Sequence, residues 1–537
     1  MSDKKTFEIG LVMAGAVSAG AYTAGVIDFM VEALEEWQKA KENGEKVPDH
    51  NLKIRVIAGA SAGGMTAAIM GGTLREDFRA KLRQAWVDEV SLEELLKLDD
   101  LEKGKARSLL NSDMIPRIAS EMFLPGAIEG KRPYIADQVD IILTLANLRG
   151  VPYNVAFNKN SDIQYEMLNH RDVFHVRLKG QEELRYIDGT GEHSAIKDQL
   201  KKAAIGTGAF PGGLSAIKLG KRFKEYDDMK WTVPEHDPST GGYAMVERTI
   251  PPSWPGKIEN KDKLFPFVSV DGGVFNNEPF DLARRALAGD KKRNSREAHR
   301  ARAAMLMIDP FPNQPHFELD KPVDEPNMLS SLGSLIGAML AQGRFKAEDV
   351  HLAAREDIYS RFLIIPRKTG SKFSIACGSI DGFSGFIDKR YRVHDFELGR
   401  RNAQRFFQKH FALEYKKELK NEYELFDSWL GDKEMMEKFS YEEDGKTYIP
   451  LIPLLGKSVE TIDRPEFSLP TKDEVKDRFR DPVRDRVKGL LKNINREYTS
   501  GMLNFGLKML IGLKAKKFGD KTLDKMVEML EKDGLVR

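Results

Sequence analysis

The stretch IRVIAGASAGGMTAA, Ile54 to Ala68, decides how this chain is read. An apolar run ends at Ala58, and Gly59-Ala60-Ser61-Ala62-Gly63 follows at once. Ile54 to Ala58 has the unbroken apolar character of a strand buried on both faces. The small residues after Ser61 suit a helix reaching to about Gly72. Gly-x-Ser-x-Gly between a strand and a helix is the nucleophile-elbow pattern. The turn is so sharp that a Cβ at either flanking position would strike neighbouring backbone, and Gly59 and Gly63 remove it. Ser61 then stands clear at the carboxyl end of the strand. The N-terminus of the following helix favours the negative charge that develops there. The plain alternative is a tight glycine turn with an idle serine, so the pentapeptide needs support from the rest of the chain.

The flanking sequence repeats the same alternation. Phe7 to Met13 predicts a strand, Ala14 to Gly20 a small-residue loop, and Ala21 to about Lys39 an amphipathic helix. Strand, helix, strand, helix in quick succession predicts an α/β sheet. Residues 75–150 read as mostly helical and charged. VPYNVAFN (151–158), LRYIDGT (184–190), FPFVSVDGG (265–273) and AAMLMIDPF (303–311) read as further strands. Residues 216–263 are polar and rich in Lys, Glu, Pro and Gly, which predicts a surface insertion or cap. Residues 414–482 are charged, with several prolines, and the last 55 residues read as two or three helices. NMLSSLGSLIGAML (327–340) reads as an apolar helix, and HDFELGRRN (394–402) as a helix with a mixed charged face.

The chain has 537 residues, 31% charged and 41% hydrophobic, with a formal net charge of +2. That composition is ordinary for a globular protein, and nothing in the overall charge suggests a nucleic-acid partner. The single cysteine, Cys377, excludes an internal disulfide framework and points to a reducing, intracellular setting. The first 26 residues have the lysines, apolar stretch and small residues of a secretory signal. Glu8 interrupts the apolar run, however, and the run continues into GVIDFMVEALEEW at helical spacing, so a strand–loop–helix unit is the better reading. No run of 18 uncharged apolar residues occurs elsewhere, and no membrane-spanning helix is expected.

A serine hydroxyl needs a base. None of the ten histidines sits in a small-residue loop after an apolar strand, where a triad histidine belongs. FVSVDGGVFNNEP supplies a carboxylate instead: Asp271 follows an apolar strand and precedes Gly272 and Gly273, at a strand end where open α/β sheets place their sites. A strand-ending Asp-Gly turn is the plain reading of the same residues. The loop at Gly15, Ala16 and Val17, between the first strand and helix, could offer backbone N–H groups to an oxyanion. No ligand-spaced His/Cys cluster is present, so neither a metal nor another cofactor is expected.

In that order, Gly15–Gly20, Gly59–Gly63 and Asp271–Gly273 resemble the patatin-like phospholipases. Those enzymes carry a glycine-rich oxyanion loop, then Gly-x-Ser-x-Gly, then Asp-Gly-Gly or Asp-Gly-Ala. NNEP at Asn276–Pro279 and AAIGTGAFPGGL (203–214) are similar to further family segments. The resemblance covers roughly residues 6–312, and 385–411 is similar to the C-terminal part of a longer bacterial subgroup. It implies a three-layer α/β sandwich with a mostly parallel sheet, helices on both faces and a helical C-terminal extension. The expected organisation is a catalytic domain over 1–312, a mixed α/β region over 313–482 and a basic helical tail over 483–537. It also implies a Ser61–Asp271 dyad that cleaves phospholipid acyl esters through an acyl-enzyme, with N–H groups of Gly15, Ala16, Val17 and Ala62 as the oxyanion hole. One departure stands out: where the family reads Gly-Gly-Gly-x-Arg-Gly, this chain reads Gly15-Ala16-Val17-Ser18-Ala19-Gly20, similar to a Gly-Gly-Val-Ser form in some bacterial relatives.

Two other readings stay open on sequence alone: a histidine-dependent esterase of small esters, and an impaired pseudo-lipase that binds lipid or a partner. A lipid hydrolase acts at a phospholipid membrane surface, here expected as peripheral association with the cytoplasmic face, with homo-oligomerisation left open. Arg484 to Lys517 carries nine Lys/Arg against two Asp/Glu, and MLNFGLKMLIGLKAKK within it fits an interfacial amphipathic helix, although a C-terminal helix packed on the core with a solvated lysine face is the favoured reading.

Overall fold

The computed structural model describes residues 5–102, 106–157, 160–237, 242–289, 294–311, 335, 338, 355, 357–366, 374–498 and 504–537. Its first four elements are β1 (Thr6–Met13), α1 (Gly20–Glu42), β2 (Asn51–Gly59) and α2 (Ser61–Gly72). Then come α3 (Met114–Met122), β3 (Ile135–Phe157), β4 (Asn160–Lys179), β5 (Glu183–Tyr186), α4 (His193–Thr207) and β6 (Ile217–Arg222). A hairpin of β7 (Lys230–Asp237) and β8 (Gly242–Thr249) precedes β9 (Leu264–Asp271), α5 (Phe280–Ala288), β10 (Ala303–Ile308) and β11 (Arg361–Ile364). The C-terminal part holds α6 (Lys389–Lys409), β12 (Ala412–Tyr415), β13 (Tyr441–Glu443), β14 (Lys446–Pro450), α7 (Lys472–Tyr498) and α8 (Asn504–Lys532).

The fold is α/β around a mixed sheet in the order β11-β10-β1-β2-β3-β4-β5. The strands from β11 to β3 are parallel, and β4, β5, β9 and β6 extend the sheet in antiparallel pairings. Side chains alternate between the two faces. Phe7, Ile9 and Leu11 of β1 join the larger core with α1 and α2, whereas Val12 packs with Val56, Ala58 and Met305 against Phe280, Ala283 and Leu287 of α5. Helices therefore cover both faces.

The apolar character of α1 follows from its place between the sheet and α6. Gly25 approaches the carbonyl of Phe396 so closely that a Cβ would overlap it, and Gly399 meets the Tyr22 carbonyl in the same way. Val17–Glu42 is, among the described residues, the one helical stretch long and apolar enough to cross a membrane, but 83% of its most apolar window is buried in the protein. Core packing accounts for that composition.

One expectation needs correction. Residues 75–150 are not helical throughout: β3 begins at Ile135 and continues to Phe157, into the strand expected at 151–158. Asp140, Asn147 and Arg149 interrupt its apolar pattern. Asp140 is buried against Arg177 of β4, with Nε to Oδ1 at 2.8 Å, and Asn147 donates to buried Asp172 at 3.0 Å. Residues 216–263, expected as a surface insertion or cap, hold β6, which pairs with β9 in the main sheet, and the separate β7–β8 hairpin. The tail contains two long helices, α7 and α8, packed on each other. The apolar segment at 327–340 lies outside the described residues, apart from two isolated positions.

Candidate active site

The site arises where two strands end against a third. β2 runs parallel to β3 and stops with Gly59 opposite Leu143. β9 runs antiparallel along the same edge of β3 and stops with Asp271 opposite Leu145. Two residues along a strand span about 7 Å, so the carboxyl ends of β2 and β9 face each other. Ser61 Oγ donates to Asp271 Oδ2 at 2.6 Å, across 210 residues of sequence.

Each partner is held by backbone geometry. Ser61 has φ 51°, in the left-handed region. A Cβ at Gly59 would overlap the backbone of Gly63 and Gly64, and one at Gly63 would overlap the Met13 carbonyl. Ser61 N–H donates to Thr207 Oγ1 at 2.9 Å. Asp271 is fixed from the same helix end: its N–H donates to Ala209 O at 2.9 Å, and Gly272 N–H to Thr207 O at 3.2 Å. A Cβ at Gly272 would overlap the Thr144 carbonyl. The second carboxylate oxygen of Asp271 accepts Gly273 N–H at 2.7 Å.

Asp271 is 2% exposed and Ser61 8%. Burial penalises the carboxylate and pushes the Asp271 pKa up to about 7, while the hydrogen bonds from Ser61 and Gly273 act in the opposite direction. The carboxyl group therefore changes charge near neutrality, the range in which a general base works best.

Both residues line a cavity with about 880 Å³ of empty space, counted out to its solvent-open mouth. Among its described lining residues they are the only polar side chains apart from the indole of Trp86. The indole N–H is occupied, donating to Thr66 Oγ1 at 2.9 Å. Met65 and Ile69 of α2, Ile115 and Ile118 of α3, and Phe383 and Phe386 supply apolar wall. No described histidine lines the cavity.

The loop after β1 completes the arrangement. Val17 lines the cavity and has φ 47°. Ala62 is the second residue of α2, so its N–H has no acceptor within the helix. The assignment of Gly15 as an oxyanion donor is corrected: its N–H donates to Asn277 O at 3.2 Å. Gly15 is needed there for space, since a Cβ would overlap the Asn277 side chain. Sequence reasoning noticed the segments containing Thr207 and Asn277 without giving either residue a role. Ser18 and Phe386 likewise lie in segments that stand out by resemblance without a role of their own, and Trp86 and Phe383 lie in no motif.

The family model for patatin-like phospholipase matches residues 11–284, a span that includes the loop, Ser61 and Asp271. The chain belongs to the patatin-like phospholipase family. This patatin-like chain is 32% identical, over 574 aligned residues, to the uncharacterized protein y4iI of Sinorhizobium fredii, across 95% of this chain and 79% of that one. A structural comparison with VipD from Legionella pneumophila covers 96% of this chain and 88% of that one at 9% identity, with a TM-score of 0.21, too low to bear on fold or function. Family membership supports lipid acyl hydrolase activity at the level of the class. Phe383 and Phe386 lie beyond the patatin-like match, so the cavity wall is not confined to the family's own segment.

Proposed function

We propose that the protein is a phospholipase A-type acyl hydrolase in which Ser61 is the nucleophile and Asp271 its base. The observation that carries this reading is the Ser61–Asp271 hydrogen bond at 2.6 Å, in the wall of a cavity otherwise lined by apolar side chains. A fatty acyl chain fits such walls, and its ester carbonyl then lies against the two polar groups. Asp271 Oδ2 takes the hydroxyl proton as Ser61 Oγ bonds to the carbonyl carbon. The oxyanion receives N–H groups of Ala62, Ala16 and Val17 and the positive end of α2. Collapse expels the lysophospholipid oxygen, which takes the proton from Asp271. Water, deprotonated by Asp271, then attacks the acyl-enzyme and releases the fatty acid and Ser61.

The partner under this reading is the surface of a phospholipid membrane, met peripherally from the cytoplasmic side. The free, buried thiol of Cys377 fits a reducing compartment. Within the positive run from Arg484 to Lys517, Arg486 is buried against Asp100 and Arg484 pairs with Asp520, so the exposed Lys488, Lys492, Lys516 and Lys517 are the described cations left to favour anionic lipid. The test is fatty-acid release from phospholipid vesicles by wild type and by Ser61→Ala. Release by wild type and none by the variant is expected; equal release by both overturns the assignment.

A further inference from the structure

Val17 is β-branched and stands at φ 47°, a conformation such residues hold only when their surroundings impose it. The surroundings come from the C-terminal part of the chain. Ser18, fully buried, donates its hydroxyl to the Gly382 carbonyl and accepts Gly385 N–H at 3.1 Å. Gly382, at φ 89°, lies against Val17: a Cβ there would sit 3.2 Å from Val17 Cβ and 3.3 Å from Cγ2. A Cβ at Gly385 would come within 2.5 Å of both Ser18 Oγ and Cys377 Sγ. The backbone at 380–382 is strained too, with Ile380 at φ 50° and Asp381 at φ 51°.

This strained segment is tied down from three directions. The Asp395 carboxylate accepts N–H groups of Ala376 and Cys377, each at 2.8 Å. The buried Arg392 guanidinium donates to Gly385 O at 2.6 Å and to Val87 O at 2.9 Å. The end of the chain supplies the third tie: Ser379 Oγ donates to Asp533 Oδ2, and the Tyr391 hydroxyl to the Leu535 carbonyl, both at 2.5 Å.

We propose that residues 376–387 clamp the oxyanion loop, with Ser18, Gly382 and Gly385 as positioning residues that hold Val17 in its left-handed conformation. The clamp does from outside what a glycine at position 17 would do from within, and the C-terminal extension thereby belongs to the working site. This inference rests on the acyl-hydrolase reading for its kinetic consequence, but not for its structural one.

A double-mutant cycle tests it. Ser18→Ala is expected to lower kcat on phospholipid vesicles about tenfold or more, with KM changed less than twofold. In a Val17→Gly background, where positive φ needs no support, Ser18→Ala is expected to lower kcat less than threefold. Equal losses in the two backgrounds overturn the clamp. Amide hydrogen exchange gives a readout independent of turnover: Ser18→Ala should speed exchange at residues 16–18 at least tenfold, and unchanged exchange also overturns it. Should Ser18→Ala fail to fold, Ser379→Ala loosens the same segment from the far side and should show the same dependence on Val17. No fatty-acid release from wild type, with faster exchange in Ser18→Ala, removes the hydrolase reading and leaves the clamp standing.

Discussion

The elbow at Ser61 and the loop at Val17 carry the same backbone demand and meet it differently. Each turns a parallel strand towards a helix, and each holds a residue with a side chain at positive φ, 51° and 47° respectively. The elbow is braced mainly by its own glycines, with Gly59 against Gly63 and Gly63 against the end of β1. The loop is braced by groups 364 and 367 residues away in sequence. Its conformation is a tertiary property, while that of the elbow is written largely in five residues. Strain of this kind costs about 1–3 kcal/mol per residue and persists only where the surroundings over-determine it.

The comparison can be broken most severely at the dyad. Ser61→Ala and Asp271→Ala should each lower kcat/KM for vesicle phospholipid by about 10⁴-fold or more, and the double variant should be little worse than either, because the two groups act as a unit. Fatty-acid release measured by mass spectrometry checks this. A smaller but still large effect is expected at the elbow's glycines. Gly63→Ala drives a methyl into the Met13 carbonyl, a rigid backbone partner, and should cost about 3 kcal/mol or more in urea denaturation. An elbow that tolerates Gly63→Ala within 1 kcal/mol, roughly the size of a surface change, is not braced as described.

The electrostatics of Asp271 give two finer tests. Its carboxyl stays protonated in the folded protein up to about pH 7 but ionises near 3.8 when exposed. The stability this gives is complete below pH 3.8 and is lost as pH rises through 7. Asp271→Asn carries no such loss. Its stability relative to wild type should rise between pH 4 and 7 and level off above, by on the order of 4 kcal/mol at most. Thermal unfolding of the two proteins across that range checks it. In catalysis the ionised form is the base, so wild-type kcat/KM should climb about tenfold per pH unit below 7 and flatten above it. A profile flat from pH 5 to 8 contradicts Asp271 as the base.

These contrasts also explain what the sequence could disclose. The meeting of Ser61 and Asp271 was legible only from the order of several weak patterns: a glycine-flanked serine or an Asp-Gly-Gly after an apolar strand alone reads as an ordinary turn. The α/β alternation of the first 72 residues was legible in the same way. β3 was not, because Asp140 and Asn147 find partners on β4 that no local pattern announces, and a charge in a strand then resembles a charge on a helix face. The clamp was not legible either. Its glycines at 382 and 385 look ordinary until Ser18 and Val17 are beside them. The binding of Gly15 N–H to Asn277 O is a contact between distant segments, and removes one donor that the motif alone appeared to offer.

The most direct measurement is labelling by a fluorophosphonate, which reports an activated serine through its covalent adduct. The account predicts an adduct on the peptide containing Ser61 in wild type, none in Ser61→Ala, and labelling slowed at least a hundredfold in Asp271→Asn. An adduct on another residue, or undiminished labelling of Asp271→Asn, contradicts the dyad.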